Sequence, residues 1–324
     1  MPRFPSLQEA VASIARRLTE VLSNEIYARV EPIPMLSHYT SLDAFTSILR
    51  TQTLWFSLVR DMNDTSEVIE GADIIAACLD NIGHKTFTNY RSFNTAGQFA
   101  AKRPLLESDT FVLSLCEHGS DALTDRLIMW QAYGFNGNGL CLVLRKDNLL
   151  KQKAGGRFPV HWAPIDYETP EQLAQRVEHR MQVVRGILEA FPDETRILPP
   201  HVFGALVAGA VGALVLSHKN VHYAHEKELR FVRSRLLQEE PLPTGAQYRS
   251  VSVNGKVKSI FELPLRHYPE FSINAEMRDL LDHVIVGPSH QQQSVAHEVR
   301  AILDAHAMTE VPIVLSSIPY RATR

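Results

Sequence analysis

Two carboxylates two residues apart, Glu226 and Glu228, are followed at the same spacing by Arg230. On a strand, alternate residues share one face, so these three side chains would stand side by side. Carboxylates held together repel, which raises the pKa of one of them. Such a pair suits chemistry at a sugar: one carboxylate orients a nucleophile while the other stabilises an oxocarbenium-like transition state. Arg230 is placed to neutralise them. His218, His222 and His225 make a rival arrangement just upstream. A His-x3-His pair on a helix can bind zinc, but the segment before it is very apolar and no His-Glu-x-x-His pattern exists, so no metal is expected.

Three further groups carry binding chemistry. Ser37, His38, Tyr39, Thr40 and Ser41 fall at a strand end just before a helix, where free backbone N–H groups and the helix N-terminus favour anions. His38 can bond a ribose hydroxyl and Tyr39 can stack on a planar ring; packing residues followed by a Thr40 or Ser41 cap explain the same pattern. Ser57 ends the run Leu54-Trp55-Phe56-Ser57, and Asn63, Asp64 and Glu67 follow it with the residue types of a helix start. Trp130 and Tyr133, three apart, share one helix face downstream of Ser114. They can clamp a base or a nicotinamide ring, although aromatic pairs at this spacing more often belong to a core. The loop Gly134-Phe135-Asn136-Gly137-Asn138-Gly139 lacks the GxGxxG order and no strand precedes it directly, which excludes a Rossmann fingerprint.

The elements that must position these groups interleave. Ser6 to Val30 reads as an amphipathic helix with a Ser6/Glu9 capping box and a stripe of Leu7, Val11, Ile14, Leu18 and Leu22. Strands are expected at Met35–Tyr39, Thr53–Ser57, Asp109–Cys116, Leu140–Leu144, Glu228–Arg233, Val257–Leu263, Val284–Gly287 and Pro312–Leu315. His161–Tyr167 reads as extended. Helices are expected after Ser41, from Asn63 to about Leu79, over Tyr90–Lys102, Leu123–Tyr133, Pro170–Ala190 and Gln291–Ala305. The pattern predicts an α+β domain with a single mixed, largely antiparallel sheet and surrounding helices, plus the N-terminal helix.

Composition agrees with a globular chain: 324 residues, net charge −3 and 45% hydrophobic residues, which excludes a disordered class. Near-neutral charge argues against nucleic-acid binding by bulk electrostatics alone. Cys78, Cys116 and Cys141 form neither a disulfide framework nor a thiolate metal site, which points to a reducing, cytoplasmic setting. The N-terminus has no apolar leader. Val202–Leu216 is apolar but shorter than the roughly 20 residues of a membrane span. It reads as a buried helix of small residues, and no membrane association is expected.

Taken together these segments resemble DUF2971, a bacterial family of unknown function. The resemblance rests on His38-Tyr39-Thr40, on Leu54-Trp55-Phe56-Ser57 with Asn63, Asp64 and Glu67, and on Ser114. It rests also on Trp130 and Tyr133 with Gly139, on Glu226, Glu228 and Arg230, and on the late runs Val284–Pro288 and Ser317–Arg321. It spans Met35 to Arg321, with Thr65 where the family usually carries Pro. Residues 1–30 would then be a helical extension and 31–324 the family-like domain.

The order His38, Tyr133, Glu228 also resembles ADP-ribosyltransferases, and the run His38–Leu49 is similar to the opening of DNA-modifying toxins of that kind. That second resemblance implies an ADP-ribosyltransferase-like fold and NAD as substrate, without a metal. His38, Tyr39, Thr40, Ser57, Asn63, Trp130, Tyr133 and Arg230 would bind NAD, and Glu228, assisted by Glu226, would catalyse ADP-ribose transfer. The acceptor would be a protein or nucleic acid, the setting a toxin or a defence system, and the partner a protein of the same operon. His38, Tyr133 and Glu228 would converge on one cleft. The alternative is a non-catalytic nucleotide- or nucleic-acid-binding sensor of a bacterial defence system.

Overall fold

Ser6 starts the first helix as its residue type dictates: its hydroxyl accepts from the Glu9 N–H at 3.3 Å, and the Glu9 carboxylate accepts from the Ser6 N–H at 2.7 Å. The computed structural model describes residues 6–62, 66–86, 95–119, 126–150, 160–235, 242–253, 255–269 and 273–319. Asn63 and Asp64 lie outside these, as do Tyr320 and Arg321. The helices are α1 (Leu7–Val30), α2 (Leu42–Thr51), α3 (Ser66–Thr86), α4 (Thr95–Asp109), α5 (Leu127–Ala132), α6 (Asp147–Leu150), α7 (Pro170–Ala190), α8 (Pro192–Arg196), α9 (Pro200–Leu216), α10 (Met277–Leu280) and α11 (Gln292–Ala305). The strands are β1 (Met35–Thr40), β2 (Thr53–Leu58), β3 (Thr110–His118), β4 (Leu140–Arg145), β5 (His161–Pro164), β6 (Asp166–Glu168), β7 (His218–Asn220) and β8 (Glu228–Ser234). After them come β9 (Gln247–Val253), β10 (Lys256–Pro264), β11 (His267–Tyr268), β12 (Ile273–Asn274), β13 (Leu281–Val286) and β14 (Ile313–Leu315).

The architecture is α+β, as the pattern predicts. Among the described residues, ten strands form one mixed sheet ordered β14-β13-β4-β1-β3-β2-β10-β9, with β8 joined to β3 and β5 joined to β8. Every pairing in it is antiparallel except β13 with β14. The sheet forks at β3. One edge of β3 pairs with β8 along Thr110–Cys116, and the other is shared, β2 taking Phe111 and Val112 while β1 takes Cys116 to His118.

Side-chain alternation sends Leu36, Phe56, Leu113, Leu115, Leu142 and Phe231 to one face, where they pack with Phe45 and Leu49 of α2 and with Val299 and Leu303 of α11. The opposite face carries two separate apolar areas. Val112, Ala163 and Val232 meet α3, α7 and α9, while Cys141, Val143 and Ile285 meet Trp130 and Tyr39. Between these two areas the same face is polar: Ser37, Ser114, Cys116, His118, Glu228 and Arg230 stand there, as the β1–β3 and β3–β8 registers require.

α1 is anchored to the body. Ala10, Ile14 and Leu18 are buried in the second area, Arg180 binds Glu25 at 3.0 Å and Arg29 binds Asp166 at 2.8 Å. The buried Lys146 ammonium donates to the carbonyls of Val30, the last residue of α1, and of its C-cap Glu31, where the helix dipole favours a cation. α9 is the small-residue helix expected near Val202–Leu216, and no described helix is long and apolar enough to cross a membrane. Ser41, not Thr40, caps α2. The polar, largely exposed edge strand β9, where only Val251 and Val253 alternate as apolar residues, was not expected.

At the end of β1 the backbone itself is close-packed. A Cβ on Gly139 would stand 2.6 Å from the Thr40 carbonyl oxygen and 3.0 Å from that of Gly134. Backbone cannot step aside as a side chain can, so Gly139→Ala should cost about 1–3 kcal/mol, the usual scale of overpacking. A lowered urea midpoint at unchanged slope would show it; an unchanged midpoint would mean that this junction yields freely.

Candidate functional site

The polar strip centres on Glu228, the first residue of β8. Its carboxylate accepts from Ser114 Oγ at 2.5 Å, from Arg230 Nε at 2.8 Å and Nη2 at 3.2 Å, and from Lys219 Nζ at 3.2 Å. Lys219 also donates to Glu226 Oε2 at 2.6 Å, and Tyr133 donates its hydroxyl to Glu226 Oε1 at 2.9 Å. The two carboxylates and two cations are all at least nine-tenths buried, whereas Tyr133 is 39% exposed. Two formal negative charges thus meet two positive ones in a dry setting, with most acceptor positions filled. This is the condition under which a buried ion network is tolerated.

Each side chain arrives by a local rule. Arg230 sits one alternation beyond Glu228, and its Nη1 donates to the Leu216 carbonyl at 3.2 Å, closing the C-terminus of α9. In the short β7, His218 turns back to Glu168 (3.1 Å), so Lys219 faces the other way, toward the carboxylates. Tyr167, opposite Lys219 in β6, accepts the Glu228 N–H at 2.5 Å.

Glu226 does not reach Glu228's side by strand alternation, as the spacing suggested. It closes a 3-10 turn, Val221–Glu226, and Lys227 then takes a left-handed conformation (φ 46, ψ 50) before β8 begins. That reversal, with the Lys227 carbonyl accepting from the Glu117 N–H at 2.8 Å, brings the two carboxylates together. The expected mutual repulsion is also overcome. Burial by itself would raise the Glu228 pKa, but the Arg230 guanidinium, Lys219 and the Ser114 hydroxyl outweigh it and bring it down to about 2. Burial pushes the Tyr133 phenol well above its ordinary value, so it remains a proton donor to Glu226.

The depressed Glu228 pKa has a consequence for stability. The carboxylate binds its proton less readily folded than unfolded, so its contribution is fully present above about pH 4.5 and is lost as the pH falls toward 2. A shift of this size is worth on the order of 3 kcal/mol. Urea midpoints of the wild type should therefore drop more steeply between pH 5 and 3 than those of Glu228→Gln. Parallel acid limbs would count against the network.

The other expected site residues fall elsewhere. His38 pairs with Leu142 and alternates onto the face opposite Glu228. Burial lowers its pKa, partly opposed by a hydrogen bond with the Ser114 backbone. Its link to the carboxylates runs through Ser114 and not across a common cleft. Tyr39 shares Glu228's face but packs edge-on against Trp130, ring centroids 5.0 Å apart at 84°. Trp130 is wholly buried and has no ring face to offer a ligand, so it does not clamp one with Tyr133. Thr40 is buried at the end of β1 opposite Leu140. Ser57 pairs with Val112, two residues along β3 from Ser114 and on the same face. Asn63 lies outside the described residues.

Sequence reasoning passed over Lys219 and Tyr167. Their only signal is a lysine just past a long uncharged helix and a tyrosine in a short extended run. His218, His222 and His225 do not share a helix, and among the described residues no group of three or more His, Cys, Asp or Glu is placed to hold a metal ion.

Residues 129–231 match a family described as Protein of unknown function (DUF2971). The matched span contains Trp130, Tyr133, Gly139, Lys219, Glu226, Glu228 and Arg230, whereas His38 to Thr40 precede it. No curated protein and no solved structure matches the chain.

Proposed function

We propose that the chain cleaves the nicotinamide–ribose bond of NAD and passes ADP-ribose to a macromolecular acceptor, a protein or a nucleic acid, as a toxin or defence-type ADP-ribosyltransferase. The observation that carries this reading is the half-exposed Tyr133 covering a paired carboxylate site, Glu226 and Glu228 bridged by Lys219. The geometry favours exchanging the roles expected of the two glutamates. Glu228 already accepts four hydrogen bonds and stays ionised, which suits a positioning residue. Glu226 accepts one bond at each oxygen, from Tyr133 and Lys219, and a carboxylate has capacity for more.

In this mechanism Glu226 keeps the hydrogen bond from Tyr133 and turns its remaining acceptor capacity toward the ribose. The glycosidic C–N bond breaks with its electron pair passing to the nicotinamide nitrogen, which leaves as neutral nicotinamide. Positive charge develops on the ribose, where Glu226 opposes it in the transition state more than in the ground state. The acceptor's nucleophilic oxygen or nitrogen then bonds to the ribose carbon, its proton passing to Glu226. The fold is read in the same proposal as ADP-ribosyltransferase-like, on the resemblance drawn from the sequence. A second reading, a nucleotide-binding sensor without turnover, is favoured by the saturation of Glu228. Incubating the full chain with labelled NAD, alone and with protein, DNA or RNA, decides between them. Nicotinamide release supports the enzyme; NAD binding without release supports the sensor.

A further inference from the structure

Two half-exposed tyrosines flank the Lys219–Glu226 pair, and the pair acts on their rings in opposite senses. Tyr133, 39% exposed, donates its hydroxyl to the Glu226 carboxylate at 2.9 Å. A phenol that donates to an anion gains electron density in its ring. Tyr223, 38% exposed, has Lys219 Nζ over its ring, 5.0 Å from the centroid. The ammonium draws the π density toward itself and leaves the other face electron-poor. Cations are attracted to the negative face of an aromatic ring. They should therefore prefer Tyr133 and avoid a ring already backed by a cation. A neutral purine stacks through its large polarisable face and carries no such penalty.

We propose that Tyr133 receives the positively charged nicotinamide and Tyr223 the adenine base, so that one buried ion pair sets the direction in which the dinucleotide lies. This rests on the NAD reading above and adds the assignment of its two ends. It places the nicotinamide ribose beside Glu226, where the proposed chemistry requires it. The leaving group changes from a cation to neutral nicotinamide as the bond breaks, so its attraction to the Tyr133 ring falls at the moment of release.

The test is calorimetric titration of the full chain with NAD, AMP and N-methylnicotinamide, the last a permanent cation. Tyr223→Leu should weaken AMP binding by roughly tenfold, the scale of losing one stacked base, and leave N-methylnicotinamide unchanged. Tyr133→Leu should do the reverse. Tyr223→Phe keeps the ring and should keep AMP affinity, which separates stacking from any general loss of fold. If NAD binds but Tyr223→Leu leaves AMP affinity intact, or weakens the nicotinamide cation instead, the assignment of ends is overturned while the NAD reading stands. If the wild type binds none of the three probes, the NAD reading falls and the assignment with it. Lowered melting temperatures in both leucine variants with unchanged affinities would make the rings packing residues and also overturn it.

Discussion

Replacing Glu226 with glutamine is expected to reduce nicotinamide release from NAD by about a hundredfold or more, the scale of losing one well-placed electrostatic group, with little change in NAD affinity. Glutamine keeps the shape, and its carbonyl oxygen can still accept from Tyr133 or Lys219. What it lacks is the charge that opposes the positive ribose, and that matters only as the glycosidic bond breaks. Glu228→Gln should act differently, because Glu228 is held by Ser114, Arg230 and Lys219 rather than turned toward a ligand. Its loss should lower stability, with turnover falling less than in Glu226→Gln. Measuring nicotinamide release and NAD affinity on both variants decides the assignment. A silent Glu226→Gln beside an inactive Glu228→Gln would restore the roles expected from the sequence. Wild-type turnover in both would end the catalytic reading.

Lys219→Met is expected to be among the most destabilising single changes in the chain, costing about 3–5 kcal/mol. Methionine fills much of the same volume but leaves Glu226 and Glu228, both over nine-tenths buried, with Arg230 as the one ion-pair partner among the described residues. Removing one member of a buried charge network costs more than the network contributes, because the partner left behind stays desolvated. Lys219→Arg should retain most of the stability by keeping the charge. Adding Glu226→Gln to Lys219→Met should recover part of the loss, a coupling that a double-mutant cycle in urea can measure. A cost below about 1 kcal/mol would place Lys219 with solvated surface pairs and would contradict its burial.

The sheet strands were legible because burial of both faces gives short, nearly continuous apolar runs: Asp109–Cys116 and Leu140–Leu144 lie within a residue or two of β3 and β4. Ser6, Glu9 and the stripe through Ile14 and Leu18 marked α1 because capping and amphipathicity are local. The site was legible only where its residues are neighbours in sequence. Glu226, Glu228 and Arg230 were found together, but the way they meet depends on a left-handed Lys227, a conformation lysine does not advertise. Lys219 joins them through the turn of a two-residue alternation in β7, which no periodic signal marks. His38 was grouped with Glu228 by residue type alone; the register that sets it on the other face is a property of β1 pairing with β4. Trp130 and Tyr133 share a helix spacing yet part company, because α5 ends at Ala132 and Tyr133 begins the turn outward.

The fork at β3 also governs when this sheet can be completed. Ser57 of β2 pairs with Ile260, Val112 of β3 with Val232, and Leu142 of β4 with Val284, so β2, β3 and β4 each wait for a late strand. As a chain emerges N-terminus first, α1, α2 and α3 can form from local bonds, but β2 and β3 must hold their open edges until the last third of the sequence is made. The carboxylate site is assembled within that same interval, since Glu228 meets Ser114 only when β8 closes on β3. A prematurely terminated chain would therefore lack both the finished sheet and the paired carboxylates, and its unpaired edges would be the ones most prone to aggregate.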